Sequence, residues 1–271
     1  MKKLILFGAF FWFSACSKIE TGLSLAPHYL GSQIDDAFDF KSEKLSRIRK
    51  QLDADIQESK KTLAKKLYSH IEKAESLFYE KEPTVALIKE LFDDVAETQT
   101  ALFAAFKASA DVALKDLSEK EMENFKRFTE KKYAEELELS KDKKAFLKKR
   151  KASFLKAFKF FLDDLSSDQE KMIVAFVERN LDYFSQRIVT RQNFSDGFYI
   201  KMKNKEETLD FFLSHYAGKK LDLFKDLDQK QYLLRFFEFQ IQLWKTTSSD
   251  QKKYLKKVLE GYKQELKKLS T

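Results

Sequence analysis

Breaks are scarce along this chain, because only six glycines and two prolines are spread over its 271 residues. A fold built from short strands needs frequent turns, and turns depend on those two residue types. Lysine, glutamate, leucine and alanine, which favour helices, fill the stretches between the breaks. The 27 phenylalanines supply apolar area for a core even though 35% of the residues are charged. The sequence therefore predicts an all-α fold, an elongated multi-helix bundle.

One long amphipathic helix is predicted at about residues 42–79. Its apolar residues recur at steps of three, four or seven, at positions 45, 48, 52, 56, 63, 67, 71, 74 and 78. The residue before Pro83 is biased away from helix, so the helix ends there, and Pro83 suits the first turn of the next one. Roughly six to eight further helices are predicted to follow.

Four later helix starts share a capping box, in which Ser or Asp stands three residues before Glu or Gln and each side chain satisfies a free backbone N–H of the other residue. The boxes are Ser118–Glu121, Ser166–Gln169, Asp228–Gln231 and Ser248–Gln251. Together with the helical spacing of apolar residues, these boxes predict helices at 118–138, 141–164, 166–193, 205–217 (closed by Gly218), 228–246 and 248–269. Residues 194–204, which include Gly197, are predicted as a loop and as the point where the domain would divide.

The N-terminus has the pattern of an export signal. Two lysines precede an apolar run from Leu4 to Phe13, and small residues lead to the only cysteine of the chain, Cys16. Ten apolar residues are too few to span a bilayer. The sequence Phe13-Ser14-Ala15-Cys16 resembles the bacterial lipobox, in which the cysteine sulfur receives diacylglycerol. An ordinary signal peptide or an uncleaved anchor is the alternative interpretation.

These features predict three regions. Residues 1–15 are a lipoprotein signal peptide, cleaved between Ala15 and Cys16. Residues 16–41 hold the lipidated cysteine and a tether, and residues 42–271 form a single helical domain. Acylation of Cys16 would anchor the protein to a lipid bilayer. Ser17 in the position after the cysteine favours the periplasmic face of an outer membrane.

The net charge and the single cysteine limit which partners and which catalytic chemistry the sequence favours. The net charge is +8, and loss of Lys2 and Lys3 with the signal leaves +6. That excess favours anionic envelope components or other envelope proteins as partners, whereas export disfavours nucleic acid. Without a thiol beyond Cys16, the domain lacks disulfides and a cysteine nucleophile. The sequence contains no Glu-x-x-His, His-Glu-x-x-His, Gly-x-Ser-x-Gly or glycine-rich phosphate motif, so we predict no metal, no cofactor and no enzymatic activity.

The acidic-aromatic stretch Asp35-Asp36-Ala37-Phe38-Asp39-Phe40 is the best candidate for a site. Asp35, Asp36 and Asp39 are predicted either to complement the dipole of the long helix or to contact a ligand or partner. Two basic clusters, at 141–151 and in the last helix, either face an anionic surface or solvate the bundle. For the last helix we favour an apolar face turned inward.

The lipobox, the Asp35–Phe40 stretch, the long helix and Leu165-Ser166-Ser167-Asp168-Gln169 together resemble a family of uncharacterised bacterial lipoproteins, over roughly residues 1–217. The resemblance implies a helical, membrane-anchored domain and no activity. We therefore expect a non-enzymatic envelope lipoprotein that binds or scaffolds other components. One alternative is a periplasmic chaperone, because Leu165 to Gln169 also fits a motif of helical periplasmic chaperones. The other is an envelope enzyme that uses Asp35, Asp36 and Asp39.

Overall fold

The computed structural model describes residues 19–216 and 227–271, and within these ranges it contains 11 α-helices and no strand. The helices are α1 Ile19–Phe38, α2 Ser42–Glu75, α3 Val85–Ala105, α4 Lys107–Leu114, α5 Glu119–Lys141, α6 Lys143–Leu162, α7 Ser167–Arg179, α8 Leu181–Lys201, α9 Lys205–Tyr216, α10 Leu227–Lys245 and α11 Ser249–Ser270. A π-helical turn, Ser76–Glu80, continues α2. The all-α, multi-helix prediction is confirmed.

Helix α1 occupies most of the segment, residues 16–41, that the sequence analysis assigned to the lipidated cysteine and a tether or entry segment. From Ile19 to Phe38 the chain is helical although it contains Pro27, and Ile19, Pro27 and Gly31 are buried against the bundle. Gly31 allows α1 to pack closely against α2, because a Cβ at this position would lie 2.6 Å from Cγ of Arg49 on α2. Glycine and proline, read as breaks in the sequence, are tolerated because tertiary packing stabilises the helix.

The long helix α2 confirms the prediction for 42–79, with its last turn widened to π geometry. The helices predicted at 118–138, 141–164, 228–246 and 248–269 also form, within a few residues of the expected ends. Three capping boxes are present, at Ser118, Ser166 and Ser248. The described residues resume at Leu227, which already belongs to α10, so the fourth predicted cap, at Asp228, stays a prediction. Gly218, the predicted C-cap, lies outside the described residues.

The helix predicted at 166–193 and the loop predicted at 194–204 are wrong. The chain breaks at Asn180, whose amide donates to the Phe176 carbonyl (2.7 Å) and accepts from Arg235 Nε (2.9 Å). Helix α8 then continues to Lys201. Gly197 faces the ring of Phe211, which a Cβ would approach to 2.8 Å. The glycine therefore allows α8 and α9 to pack closely and does not mark a turn.

Three apolar clusters form the interior. The largest joins α3, α6, α7, α8 and α10, and most of its members on α10 are aromatic. The second joins the end of α1 and the start of α2 to α4 and α5, with Phe38 and Ile48 buried. The third lies where the start of α1 and the end of α11 meet the middle of α2, and its buried members are Ile19, Ala64, Ile71, Leu259 and Leu266.

Helix α11 runs antiparallel to α2. The Tyr79 hydroxyl donates to the Lys252 carbonyl (2.7 Å) near one end, and Lys61 Nζ donates to the Thr271 carbonyl oxygen (2.8 Å) at the other. Helix α1 also folds back along α2, from the turn at 39–41. The first residue of α1 and the last turns of α11 therefore meet beside the middle of α2, and we call this region the α1–α11 junction.

Candidate functional site

The predicted cleavage and lipidation residues, Ala15 and Cys16, lie outside the described residues. What the structure describes is the point at which the bundle begins. Ile19 is 4% exposed in the third cluster, and its backbone N–H donates to the Glu265 carboxylate on α11. The described chain therefore starts inside the α1–α11 junction, three residues after Cys16.

Lysines border the α1–α11 junction. Lys65 on α2 and Lys267 and Lys268 in the last turns of α11 are exposed. Lys61 lies nearby, bonded to the C-terminal residue. Exposed cations at one place on the surface favour contact with anionic groups.

Asp35, Asp36 and Asp39 lie on one turn but do not converge. Asp35 Oδ1 accepts the backbone N–H of Phe40 (3.0 Å), which fixes the chain where α1 ends. Asp36 is exposed. Asp39 has a left-handed backbone (φ 54°), and its exposed carboxylate lies 3.9 Å from Lys120 Nζ. The N-cap residue of α2 is Lys41, whose side chain makes no capping hydrogen bond.

A solvent-open cleft lies between α2 and the α3–α4 corner. Its volume is about 630 Å³, within the range of small-molecule sites. The wall formed by α3 and α4 consists largely of alanines, and charged residues of both walls surround the cleft. The residues that line the cleft are Asp55, Glu58, Ser59, Thr62, Leu63, Lys66, Ala101, Ala104, Ala105, Lys107, Ala108 and Asp111. Small side chains form the α3–α4 wall, and charged side chains of both signs surround the opening. The cleft thus suits a polar or zwitterionic segment.

Asp55, at the base of this cleft, is 4% exposed. Its carboxylate accepts the backbone N–H of Ser109 (3.0 Å), the Ser109 hydroxyl (2.5 Å) and the Gln51 amide (2.9 Å). Ser109 lies in the first turn of α4, where free N–H groups and the helix dipole favour a negative charge. Asp55 therefore caps α4 from another helix and fixes the α3–α4 corner that forms the cleft wall.

His70 lies one turn beyond the cleft, in the seam between α2 and α3. It is 9% exposed, its Nε2 lies 2.7 Å from Thr98 Oγ1, and its buried Nδ1 has no hydrogen-bond partner. Burial lowers the pKa of His70 below its ordinary value, although Asp94 opposes that change. Burial therefore favours the neutral form of the ring in this seam. His70 is thus a buried residue of the contact between α2 and α3.

The Leu165–Gln169 motif has a structural explanation that the sequence only partly revealed. Ser166 and Gln169 form the predicted capping box of α7. Gln169 is 1% exposed and exchanges two hydrogen bonds with Gln251 (3.0 and 2.9 Å), the corresponding glutamine of the α11 box. Its amide also donates to the Thr246 carbonyl (3.2 Å). Two helix starts are thereby joined by their capping residues.

Members of both basic clusters contact other side chains of the bundle. In α11 the apolar face is turned inward as predicted, with Leu259 and Leu266 buried. Lys263 Nζ donates to the carboxylates of Glu75 (2.6 Å) and Glu260 (2.9 Å), and these hydrogen bonds raise the pKa of Lys263. In the basic cluster at residues 141–151, the Arg150 guanidinium lies over the Phe146 ring, 4.7 Å from its centre.

Comparison with protein-family models, curated proteins and solved structures finds no match. Within residues 19–216 and 227–271, no three His, Cys, Asp or Glu side chains are grouped so as to hold a metal ion. Over the same described ranges, no helix combines the length and the apolar character that a membrane span requires.

Proposed function

We propose that this protein is a lipid-anchored lipoprotein of the bacterial cell envelope, whose helical bundle is a non-enzymatic binding or scaffolding module. The observation that carries the proposal is how close the lipobox-like sequence lies to the folded bundle. Cys16 precedes Ile19 by three residues, and Ile19 is already buried in the third cluster.

Three residues extend at most about 11 Å. A diacylglycerol on Cys16 would therefore hold the α1–α11 junction at the surface of the bilayer. The exposed lysines of this junction suit an anionic headgroup layer. In this proposal the bilayer is one partner, engaged through acylated Cys16, and the periplasmic face of the outer membrane is the site of action. Nucleic acid has no part in it.

Other envelope components are the second class of partner. The cleft between α2 and the α3–α4 corner is the candidate contact, because it combines a wall of small side chains with charged side chains of both signs. Its alanine wall and charged rim favour a polar segment of a protein or glycan. A chaperone would instead need a broad concave apolar surface, and an enzyme would need Asp35, Asp36 and Asp39 to converge.

The anchor is tested by fractionation of cells that express the wild type, Cys16→Ala or the matched control Ser17→Ala. We expect the wild type and the control in the membrane fraction and labelled by a fatty-acid probe. Cys16→Ala should lose the label and accumulate as unprocessed or released protein. Equal labelling of all three proteins would contradict the proposal.

Binding through the cleft is tested by a photo-crosslinking amino acid at Ala104, an exposed residue of the cleft wall. The matched control carries the same group at Ile200, which is 70% exposed on α8. We expect discrete crosslinked products in intact cells from position 104 and not from position 200. Absence of products from position 104, or the same products from both, would count against the cleft as the contact.

A further inference from the structure

The outward face of α1 exposes two large apolar side chains close to the predicted anchor. Leu25 is 53% exposed and Tyr29 is 47% exposed. They are four residues apart, so they lie on one side of the helix, whereas Ile19, Pro27 and Gly31 are buried on the other. Among the described residues only Val189 and Ile200, both on α8, are comparably exposed large apolar residues.

We propose that this face of α1, led by Leu25 and Tyr29, lies in the interfacial layer of the anionic bilayer that receives the acyl chains of Cys16. This inference rests on the proposed lipid anchor. It adds to the anchor a defined protein surface in contact with lipid, and it thereby orients the bundle on the membrane.

Distance supports the contact. At 1.5 Å per residue, Leu25 and Tyr29 lie about 9 Å and 15 Å along the axis from Ile19, and Cys16 is within about 11 Å of the same residue. Amphipathic helices that lie on membranes bury their apolar face about 5–10 Å into the boundary between headgroups and acyl chains. An anchor at Cys16 therefore holds both side chains within reach of that boundary.

The residue types on and beside this face of α1 favour a lipid bilayer as its partner. Tyrosine is enriched at membrane interfaces, where its ring is apolar and its hydroxyl stays hydrated. The lysines at the α1–α11 junction, Lys65, Lys267 and Lys268, are exposed beside the start of α1 and complement anionic headgroups. Apolar contact and positive charge thus occur together at the end of the molecule that the anchor would hold.

The test uses the full acylated protein in vesicles of phosphatidylethanolamine and phosphatidylglycerol, with a thiol-reactive spin label. Leu25→Cys and Tyr29→Cys are the test variants, and Val189→Cys and Ile200→Cys are the matched exposed controls. We expect labels at 25 and 29 to collide more with oxygen, which concentrates in lipid, than with a water-soluble nickel chelate. Labels at 189 and 200 should show the reverse preference.

The wild type separates failure of the anchor from failure of this inference. Its only cysteine is Cys16, so an acylated wild type takes up no label. A wild type that is labelled would overturn the anchor and the membrane contact together. An unlabelled wild type, with positions 25 and 29 as accessible to nickel as the controls, would overturn the membrane contact alone.

Discussion

Gln169 and Gln251 join the first turns of α7 and α11, and their removal tests how strongly two helix starts support each other. Gln169 accepts from the Ser166 backbone N–H and from the Gln251 amide, and donates to the Thr246 carbonyl and the Gln251 side-chain oxygen. These four bonds use the full capacity of a side-chain amide. A net value of about 1 kcal/mol for each bond gives about 4 kcal/mol for Gln169→Ala.

The same reasoning predicts coupling between the two glutamines. Gln251→Ala also removes the two bonds that they exchange, so each single variant includes the loss of these bonds. We expect the double variant to cost about 2 kcal/mol less than the sum of the single variants. The assay is urea unfolding followed by circular dichroism, applied to all four members of the cycle.

A matched control uses Gln264, an exposed residue on the same helix as Gln251. Gln264→Ala should change the free energy of unfolding by less than about 0.5 kcal/mol and should add to Gln169→Ala without coupling. A coupling energy below about 0.5 kcal/mol between Gln169 and Gln251 would refute the claim that the paired boxes stabilise each other.

Three further changes test other parts of the fold. Asp55→Ala should lower the free energy of unfolding by about 3 kcal/mol, because two Ser109 donors and the Gln51 amide lose a buried carboxylate. The control Asp53→Ala, at an exposed position, should lower it by less than about 0.5 kcal/mol in the same urea assay. The pKa of His70 in the folded protein lies below its ordinary value of 6.5, so the unfolded chain takes up the proton first as the pH falls. The free energy of unfolding should therefore decrease below about pH 6.5, by at most about 1.4 kcal/mol per pH unit. The variant His70→Gln should weaken this pH dependence, and an unchanged slope would contradict the burial argument. Asp163→Gly should raise stability by about 1 kcal/mol, since φ 61° and ψ −122° favour glycine; a lower melting temperature would show that the backbone is not strained there.

Local signals explain which parts of the fold the sequence predicted. The spacing of apolar residues placed α2, and Ser followed three residues later by Glu or Gln placed the starts of α5, α7 and α11. These signals act within one or two turns, so they can be recognised without the rest of the chain.

The remaining features depend on contacts between distant residues. Gly31 and Gly197 read as breaks, but each admits a side chain of another helix, Arg49 or Phe211. The break at Asn180 is fixed in part by Arg235, 55 residues away. No local pattern encodes such pairings.

The candidate cleft was missed, although one signal pointed to it. Asp55 lies between Leu52 and Ile56 on the apolar stripe of the long helix, a position where a carboxylate needs buried donors. The partner that supplies two of them, Ser109, belongs to α4, a helix that the sequence did not predict. The sequence instead predicted a site at Asp35, Asp36 and Asp39, and in the structure Asp35 fixes the end of α1.

The central claim, that Cys16 anchors this bundle to a membrane, is tested most directly by mass spectrometry of the native protein purified from membranes. The account predicts a mature N-terminal peptide that begins at Cys16 and carries a thioether-linked diacylglycerol. A mature chain that begins at any other residue, or a Cys16 peptide with the mass of an unmodified thiol, would contradict it.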